Sequence, residues 1–241
     1  MEGPGVYLIK EKLSFLKGKI PIMVSGNTKE KKELLIGKKV LDVKSMGKYL
    51  ILEFDSFYLV IHFLMYGSFR INQKRKGKKE RLSLKFKDTV LNFYNTSVKI
   101  IEKDNFRYDP TIDIMSKEFD KLKTKEMVKN SDDFICDLLL NQNIFAGIGN
   151  IIKNEALFRA KIHPLSIGKN IPSEDIDKLI QESLSFSYDF YLVRKKNLRL
   201  KEKLVIYGKK FCPNCQTRIN IKYLGKTKRR TYFCETCQRL F

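Results

Sequence analysis

The sequence predicts an α+β protein in which an N-terminal helix and a β-sandwich domain precede a helical domain and a C-terminal zinc ribbon. Short strand-like segments with polar turns fill much of the chain up to about residue 110. Helical periodicity dominates from about residue 116, and four cysteines cluster near the C-terminus. From these three observations we predict domains at residues 1–112, 113–205 and 206–241.

The individual elements follow from the spacing of apolar residues. Val6, Ile9, Leu13 and Leu16 lie on one face of a predicted helix at residues 4–17. The predicted strands, most of them bounded by short polar turns, are 39–44, 50–54, 57–63, 82–86, 89–94 and 98–102. The predicted helices of the second domain are 115–123, 131–140, 148–158 and 173–191.

The charge of the chain is strongly positive and unevenly distributed. The 241 residues include 48 Lys and Arg against 27 Asp and Glu, which gives a net charge of +21. Residues 191–241 hold fifteen basic and two acidic residues, and a second basic cluster, at 74–81, is predicted to form a hairpin loop. Such asymmetry favours a phosphate-rich partner, although a Lys-rich proteome or an anionic membrane surface would also give a basic chain.

The sequence predicts neither a membrane span nor a signal peptide. No run of 18 apolar residues is present, so no transmembrane helix is predicted, and the first ten residues do not resemble a signal peptide. We therefore expect an intracellular protein of the cytoplasm or nucleoid that does not bind membranes.

The cysteines predict a structural metal site. Cys212 and Cys215 form one Cys-x-x-Cys pair, eighteen residues separate it from a second pair, and that pair is Cys234 and Cys237. Two such pairs are typical of a tetrahedral Zn²⁺ site on two turns, and no ligand position is left for water. Two disulfides are the alternative, which an intracellular location disfavours. Cys136 lies in an apolar run and is interpreted as a buried side chain.

A glycine-containing turn between two predicted helices is a candidate anion site. Gly147 and Gly149 flank Ile148, and Asn150 opens the next helix. Open amides at a helix start bind phosphate well, and the asparagine would add a donor. A tight turn without a ligand explains the same residues equally well.

Four segments, in chain order, carry a resemblance to a known family. The turn at 147–151 and the chain that follows it to Pro164 resemble the helix-two-turns-helix segment of the Fpg/Nei family. These are formamidopyrimidine-DNA glycosylases and endonuclease VIII enzymes. The ribbon at 207–238 is similar to the ribbon of that family, and residues 47–50 and 62–67 resemble two motifs of its first domain.

The resemblance implies catalytic residues. Family members use an N-terminal amine, usually on a proline followed by glutamate, to form a Schiff base with damaged DNA. This chain begins with Met1 directly before Glu2, so the resemblance assigns the nucleophile to the Met1 amine and proton transfer to Glu2. Lys48 matches the catalytic lysine on a β-turn. The alternative is that this chain has lost the nucleophile.

DNA-binding residues are also implied. Asn150 and Arg229 match residues that grip the phosphates beside the lesion, together with the turn glycines Gly147 and Gly149. A flipped base leaves a space in the duplex, and the resemblance suggests that Leu64, Met65 and Tyr66 fill it. Leu64 and Met65 could instead be core residues at the end of a strand.

The implied function is base excision repair by a monomeric DNA glycosylase with AP lyase activity. The enzyme would remove oxidised bases and cleave the strand by β,δ-elimination at damaged or abasic DNA. Gly5 stands where the family's opening motif has a second acid, and the stretch at 192–206 is short. Both departures favour oxidised pyrimidines over 8-oxoguanine. A noncatalytic protein of the same fold that binds damaged DNA is the alternative.

Overall fold

The computed structural model describes all 241 residues and divides into two compact units. The first unit comprises Met1 and Val6–Tyr108, and the second comprises Glu2–Gly5 and Asp109–Phe241. No helix has the length and apolar character required to cross a membrane. The predicted boundary at residues 205 and 206 within the second unit stays a prediction.

Six antiparallel strands build most of the first unit. Helix α1 spans Gly3–Leu13 and continues as a 3-10 turn, Ser14–Leu16. The strands are β1 Met23–Ser25, β2 Asp42–Met46, β3 Tyr49–Glu53, β4 Phe57–Ile71, β5 Leu82–Lys85 and β6 Val90–Glu102. They are hydrogen-bonded in the order β1-β5-β6-β4-β3-β2.

The long strands β4 and β6 take part in two layers. The first half of β4, Phe57–Phe63, pairs with β3 and with the second half of β6, and Ser68–Ile71 pairs with the first half of β6. Both layers contribute to one apolar core, which accounts for the predicted sandwich. The predicted break at 95–97 was wrong, because β6 runs through it as one strand.

In the first half of β4, alternate side chains point into the apolar core and hold the strand in place. Leu59, Ile61 and Phe63 belong to the core cluster and are at most 1% exposed. Each such side chain contributes about 1.5–3 kcal/mol when it is fully buried. The intervening His62 faces away from that cluster and is only partly buried.

The second unit contains four helices around its own core. They are α2 Lys121–Lys129, α3 Ile135–Leu138, α4 Asn150–Ala160 and α5 Ser173–Lys195. The predicted helix at 115–123 was displaced, because the Asp120 carboxylate caps the amide of Lys123 and fixes the start of α2. The predicted helix at 131–140 is reduced to one turn.

Helix α4 lies at the centre of this unit, and every residue from Ile152 to Phe158 is buried. The stretch includes three consecutive polar residues, so each of them needs a partner inside the protein. Lys153 donates to the Thr231 hydroxyl at 2.8 Å, and the Asn154 side-chain oxygen accepts from the Tyr232 amide at 2.7 Å. Both partners lie on a C-terminal hairpin.

That hairpin consists of β7, Asn220–Leu224, and β8, Arg229–Phe233. Its tip is held by Asp137 of α3, whose carboxylate accepts from the amides of Lys226 and Thr227. Gly225 makes this approach possible, because a Cβ there would overlap the Asp137 carboxylate. Helices α3 and α4 together therefore fix the position of the hairpin.

Glu155 completes the buried polar triplet of α4. Its carboxylate is fully buried and accepts hydrogen bonds from three consecutive amides, those of Val205, Ile206 and Tyr207. Arg159, one helical turn later, lies 3.4 Å from the same carboxylate. This single side chain therefore fixes the chain segment that leads into the hairpin.

Replacing Glu155 with alanine is expected to destabilise the protein by about 3 kcal/mol, because one buried and two partly buried amides lose their acceptor. Urea unfolding followed by circular dichroism measures the change. Glu126→Ala is the matched control, since Glu126 is exposed on α2. Equal unfolding midpoints for the two variants would contradict the role given to Glu155.

Candidate active site

The N-terminal amine of the first unit contacts β4 at Phe63, just before the register shift of that strand. The Met1 amine is 3.3 Å from the carbonyl oxygen of Phe63, and the Phe63 side chain is 1% exposed. Met1 itself is 43% exposed, so this anchored end of the chain is accessible from solution. The amine is thus both positioned and reachable.

Lys48 lies on the two-residue turn between β2 and β3. Met46 pairs with Tyr49 across this turn, and Gly47 has a φ of 53° at its first central position. A positive φ there is typical of tight hairpins and favours glycine. The turn is short and places the Lys48 side chain at a defined point.

The pKa of His62 is influenced by both the Met1 amine and Lys48. Burial lowers the pKa of His62, and the positive charges of the N-terminal amine and of Lys48 lower that pKa further. His62 also packs its ring against Tyr49, with ring centroids 5.3 Å apart. Two of the three predicted catalytic groups therefore lie near one histidine of the first unit.

A bulge in β4 carries the predicted space-filling residues. Register between β4 and β6 shifts between Phe63 and Ser68, so residues 64–67 protrude opposite Asn95. Met65 is 70% exposed and Tyr66 is 84% exposed. A Cβ on Gly67 would lie 2.7 Å from the Asn95 carbonyl oxygen, which explains the glycine at this position.

Leu64 is also exposed, so all three predicted residues lie on the surface of the bulge. Tyr66 adopts a φ of 64°, an unusual conformation for a residue with a bulky side chain. The Asn95 side chain donates to the carbonyl of Met65 and helps to hold the bulge in this form. The core interpretation of Leu64 and Met65 is wrong.

Glu2 is bound to the start of helix α4 in the second unit. Its carboxylate accepts from the amides of Ile151 and Ile152, at 2.8 and 3.2 Å. The amides at a helix N-terminus point outward, and the helix dipole favours negative charge there. These two backbone amides therefore hold the carboxylate in one orientation.

The two glycines of the turn make this arrangement possible. A Cβ on Gly149 would overlap the Glu2 side chain, and the Gly3 amide donates to the Gly147 carbonyl at 2.8 Å. Gly147 has a φ of 104°, and its own amide donates to Gln142. Three of the amides at this turn are not open, because Gln142 accepts from Gly147 and Glu2 accepts from Ile151 and Ile152. A contact of these glycines with DNA stays a prediction.

Asn150 and Arg229 lie on adjacent elements of the second unit. The Asn150 side chain donates to the carbonyl of Arg230 at 2.9 Å, while its own side-chain oxygen is buried without a hydrogen-bond partner. Arg229 is exposed and opens β8. Because Arg230 follows Arg229 in β8, this hydrogen bond connects the two residues that are predicted to contact phosphate.

Lys153 is a buried cation that the sequence-based prediction missed. It is 1% exposed, and burial lowers its pKa to about 8, with Arg229 adding repulsion while Glu2 is attractive. A signal was present, since Lys153 lies three and four residues before the buried Ala156 and Leu157. A lysine on an apolar helix face predicts an internal partner, which is Thr231.

The four predicted metal ligands form one cluster at the base of the hairpin. The sulfur atoms of Cys212, Cys215, Cys234 and Cys237 all lie within 4.8 Å of one another. A tetrahedral centre with metal–sulfur bonds of about 2.3 Å requires sulfur separations of roughly 3.8 Å. The Cys212–Cys237 and Cys215–Cys234 separations are 3.7 and 3.5 Å, so the cluster fits a bound metal ion.

Two family models match the chain. The formamidopyrimidine-DNA glycosylase N-terminal domain matches residues 13–99, and the formamidopyrimidine-DNA glycosylase H2TH domain matches residues 109–186. The matches follow the order of the two units. Together with the cysteine cluster, they confirm the predicted α+β fold class.

Similar proteins carry two sets of names. A formamidopyrimidine-DNA glycosylase of Rickettsia felis is 31% identical, with 83% of this chain and 80% of the relative aligned. Endonuclease 8-like 3 of Xenopus laevis is 32% identical over 85% of this chain. The chain spans 35% of the length of that relative.

Solved structures of similar fold include the Lactococcus lactis formamidopyrimidine-DNA glycosylase, bound non-covalently to DNA that contains an AP site. The TM-score is 0.86 at 25% identity, and the match covers 99% of this chain and all of the other. The match thus extends over almost the full length of this chain.

Substituting Gly149 with alanine is expected to displace the Glu2 carboxylate from α4, because the new Cβ takes its space. In amide NMR spectra, the Ile151 and Ile152 signals should shift upfield as they lose a charged acceptor. Gly77→Ala, where a Cβ meets no atom within 4 Å, should leave both signals in place. Unchanged signals in Gly149→Ala would disprove the packing argument.

Proposed function

This chain belongs to the formamidopyrimidine-DNA glycosylase and endonuclease VIII family, and we propose that it is a base-excision-repair DNA glycosylase with AP lyase activity. The observation that carries the proposal is the anchored Met1 amine. It rests on the Phe63 carbonyl at the root of the exposed bulge, and Lys48 lies in the same neighbourhood. Glu2, the next residue, is held by α4.

The Met1 amine is the proposed nucleophile. An α-amine has an ordinary pKa of about 8, so a useful fraction is unprotonated near neutral pH. Its lone pair forms a bond to C1′ of the damaged nucleotide while the glycosidic bond breaks. The base leaves with the bonding electrons and gains a proton. Methionine supplies a primary amine, which forms a protonated imine where proline would form an iminium ion, provided that no formyl group remains on it.

Glu2 is proposed to move protons at the sugar ring that opens during this exchange. Two backbone amides hold its carboxylate, so it needs no rearrangement before it reacts. Lys48 is proposed to contact the phosphate beside the lesion and to support proton transfer. Loss of a proton from C2′ then expels the 3′ phosphate, and a second elimination expels the 5′ phosphate, which is the β,δ sequence.

DNA binding is proposed to use both units. Asn150 and Arg229, with the turn formed by Gly147 and Gly149, would grip phosphates, and an arginine can do so with two hydrogen bonds. The bulge residues Leu64, Met65 and Tyr66 would fill the space of the flipped base. The similar Lactococcus lactis protein binds DNA containing an AP site, which supports this partner. We propose that the chain acts as a monomer.

Oxidised pyrimidines are the proposed substrates. The connection between α5 and Tyr207 is short and partly folded as a 3-10 turn, Leu200–Lys203, which leaves little chain to cover a bulky purine. Gly5 is a further departure from the usual opening sequence. The Lactococcus lactis protein has also been crystallised with DNA that contains an oxidised pyrimidine, so this fold accommodates such a lesion.

The metal of the cysteine cluster is proposed to be structural Zn²⁺. Four thiolates suit zinc, and they leave no open coordination position for chemistry. When bound, the ion would fix the base of the hairpin that carries Arg229. It would contribute to DNA binding through that position and take no part in the reaction.

Borohydride trapping on abasic DNA tests the nucleophile. The untagged protein is expected to form a covalent adduct that peptide mapping assigns to Met1. A retained Gly-Ser extension before Met1 should abolish the adduct while DNA binding persists, because the reactive amine is then displaced. DNA binding without any adduct or strand cleavage in the untagged protein would instead support a noncatalytic damage-binding protein.

Glu2→Gln is expected to lower the rate of base excision about 100-fold or more, because proton transfer typically contributes that much. The rate is measured by single-turnover release of thymine glycol from a duplex. Glu182→Gln, on helix α5, is the control and should retain the rate of the original protein. Full excision by Glu2→Gln would remove the assigned role.

Elemental analysis of the purified protein should show one zinc per chain. Cys234→Ser is expected to lower this content and to weaken DNA binding, because the hairpin loses its base. Cys136→Ser is the matched control, since Cys136 is buried outside the cluster and should leave the metal content unchanged. A different metal, or none, would overturn the zinc assignment.

A further inference from the structure

Two negative charges meet at the start of helix α4 when DNA is bound at its proposed contacts. The Glu2 carboxylate accepts from the amides of Ile151 and Ile152 there. The proposed phosphate contacts are Asn150, the first residue of α4, and Arg229, whose neighbour in β8 accepts from Asn150. A carboxylate and a phosphate repel each other, most strongly where little water screens them. A site that holds both therefore needs positive charge in addition to Arg229.

Lys153 supplies positive charge from inside the protein. It lies in the first turn of α4, and its side chain is 1% exposed. Side chains on a helix tilt toward the N-terminus of that helix, which is where Glu2 lies. Burial lowers the pKa of Lys153, while the charge of Glu2 raises this pKa and the charge of Arg229 lowers it. The buried ammonium is thus close enough to both groups to interact with their charges.

The groups around Lys153 do not need an ammonium for their own hydrogen bonding. The Thr231 hydroxyl, which accepts from Lys153, itself donates to the Arg229 carbonyl at 2.9 Å. The Asp137 carboxylate already accepts from two amides of the hairpin tip. The adjacent Ile152 is buried, so an apolar side chain would suit this part of α4. Burying a charge is costly, and that cost points to a role other than folding.

We propose that Lys153 is a positioning residue for the DNA complex, a buried counter-ion that allows α4 to hold the Glu2 carboxylate and a DNA phosphate at the same time. Lys153 acts through its charge and touches neither the phosphate nor the damaged nucleotide. The inference rests on the proposed function, because it assumes that Arg229 binds a phosphate of DNA. Without this ammonium, the carboxylate that is proposed to transfer protons would weaken phosphate binding.

The test measures affinity for a duplex that contains a tetrahydrofuran abasic analogue, which cannot form a Schiff base and so separates binding from chemistry. Lys153→Met removes the charge at similar length and should weaken binding about tenfold, a usual size for coupling between neighbouring groups. Lys153→Gln keeps a donor for Thr231 and should weaken binding to the same extent. Lys178→Met, which removes one exposed cation of α5, is the matched control and should bind like the original protein. Thermal unfolding confirms that each variant is folded.

Removing the carboxylate as well separates a counter-ion from a merely structural lysine. Glu2→Gln should raise the affinity more in the Lys153→Met background than in the original protein, because the uncompensated charge is then gone. It should recover most of the affinity that Lys153→Met loses. A lysine that only supports the fold predicts no such recovery, since Glu2→Gln cannot repair a packing defect. Absence of the recovery would overturn the proposal.

The same charge gives DNA binding a pH dependence. Burial lowers the pKa of Lys153 to about 8, and the charges that act on it are those of Cys136 and Asp137 on α3, Arg229 on β8, and Glu2. The ammonium is therefore present below this pKa and is lost as the pH rises through it. The affinity of the original protein should fall as the pH rises through about 8, and the affinity of Lys153→Met should fall less. The N-terminal amine titrates in the same range in both proteins, so the difference between them reports Lys153. Equal falls would contradict the proposal.

Arg229→Ala distinguishes failure of this inference from failure of the proposed function. If Arg229→Ala weakens binding but Lys153→Met behaves like Lys178→Met, the counter-ion proposal is wrong and the proposed function stands. If Arg229→Ala leaves the affinity unchanged, the phosphate contact and the counter-ion proposal fall together, while borohydride trapping still decides the catalytic proposal. If trapping fails but Lys153→Met shows the loss and its recovery by Glu2→Gln, the counter-ion proposal stands and the catalytic proposal falls.

Discussion

The burial of helix α4 is the constraint on which the second unit depends. A helix buried from Ile152 to Phe158 must satisfy every polar group that it carries, including the amides at its start. Glu2 accepts from those amides, Lys153 and Asn154 bind β8, and Glu155 binds the segment before the ribbon. The proposed proton-transfer group and the proposed phosphate grip are thus positioned by the same helix.

In the first unit, one irregularity produces most of the functional surface. β4 and β6 are long enough to serve two layers, and the change between layers occurs at residues 64–67. Apolar side chains that would otherwise enter the core are there turned to solvent, while the Met1 amine binds Phe63 at the root of the bulge. This bulge in the strand pairing therefore places the proposed nucleophile next to the residues that are proposed to contact DNA.

Sequence periodicity was a good guide where burial and local spacing agree. The strand at 82–86 and the helix beginning at Ser173 were predicted close to their observed positions, and the strand predicted at 57–63 is the first half of β4, because alternation and helical period are local properties. The helix predicted at 115–123 was wrong because a single cap at Asp120 overrode the periodicity. The bulge residues were predicted only through family resemblance, since an apolar strand end usually indicates core.

The sequence by itself determined the fold class, the four cysteines that form one cluster and the identity of the first two residues, because each depends on composition or on short spacing. Only the tertiary structure shows why residues 147 and 149 are glycines. They admit Glu2 and Gly3, which lie about 145 residues away in the chain. It also decided that Lys153 is buried. Contacts between distant segments arise from packing, and no local pattern encodes them.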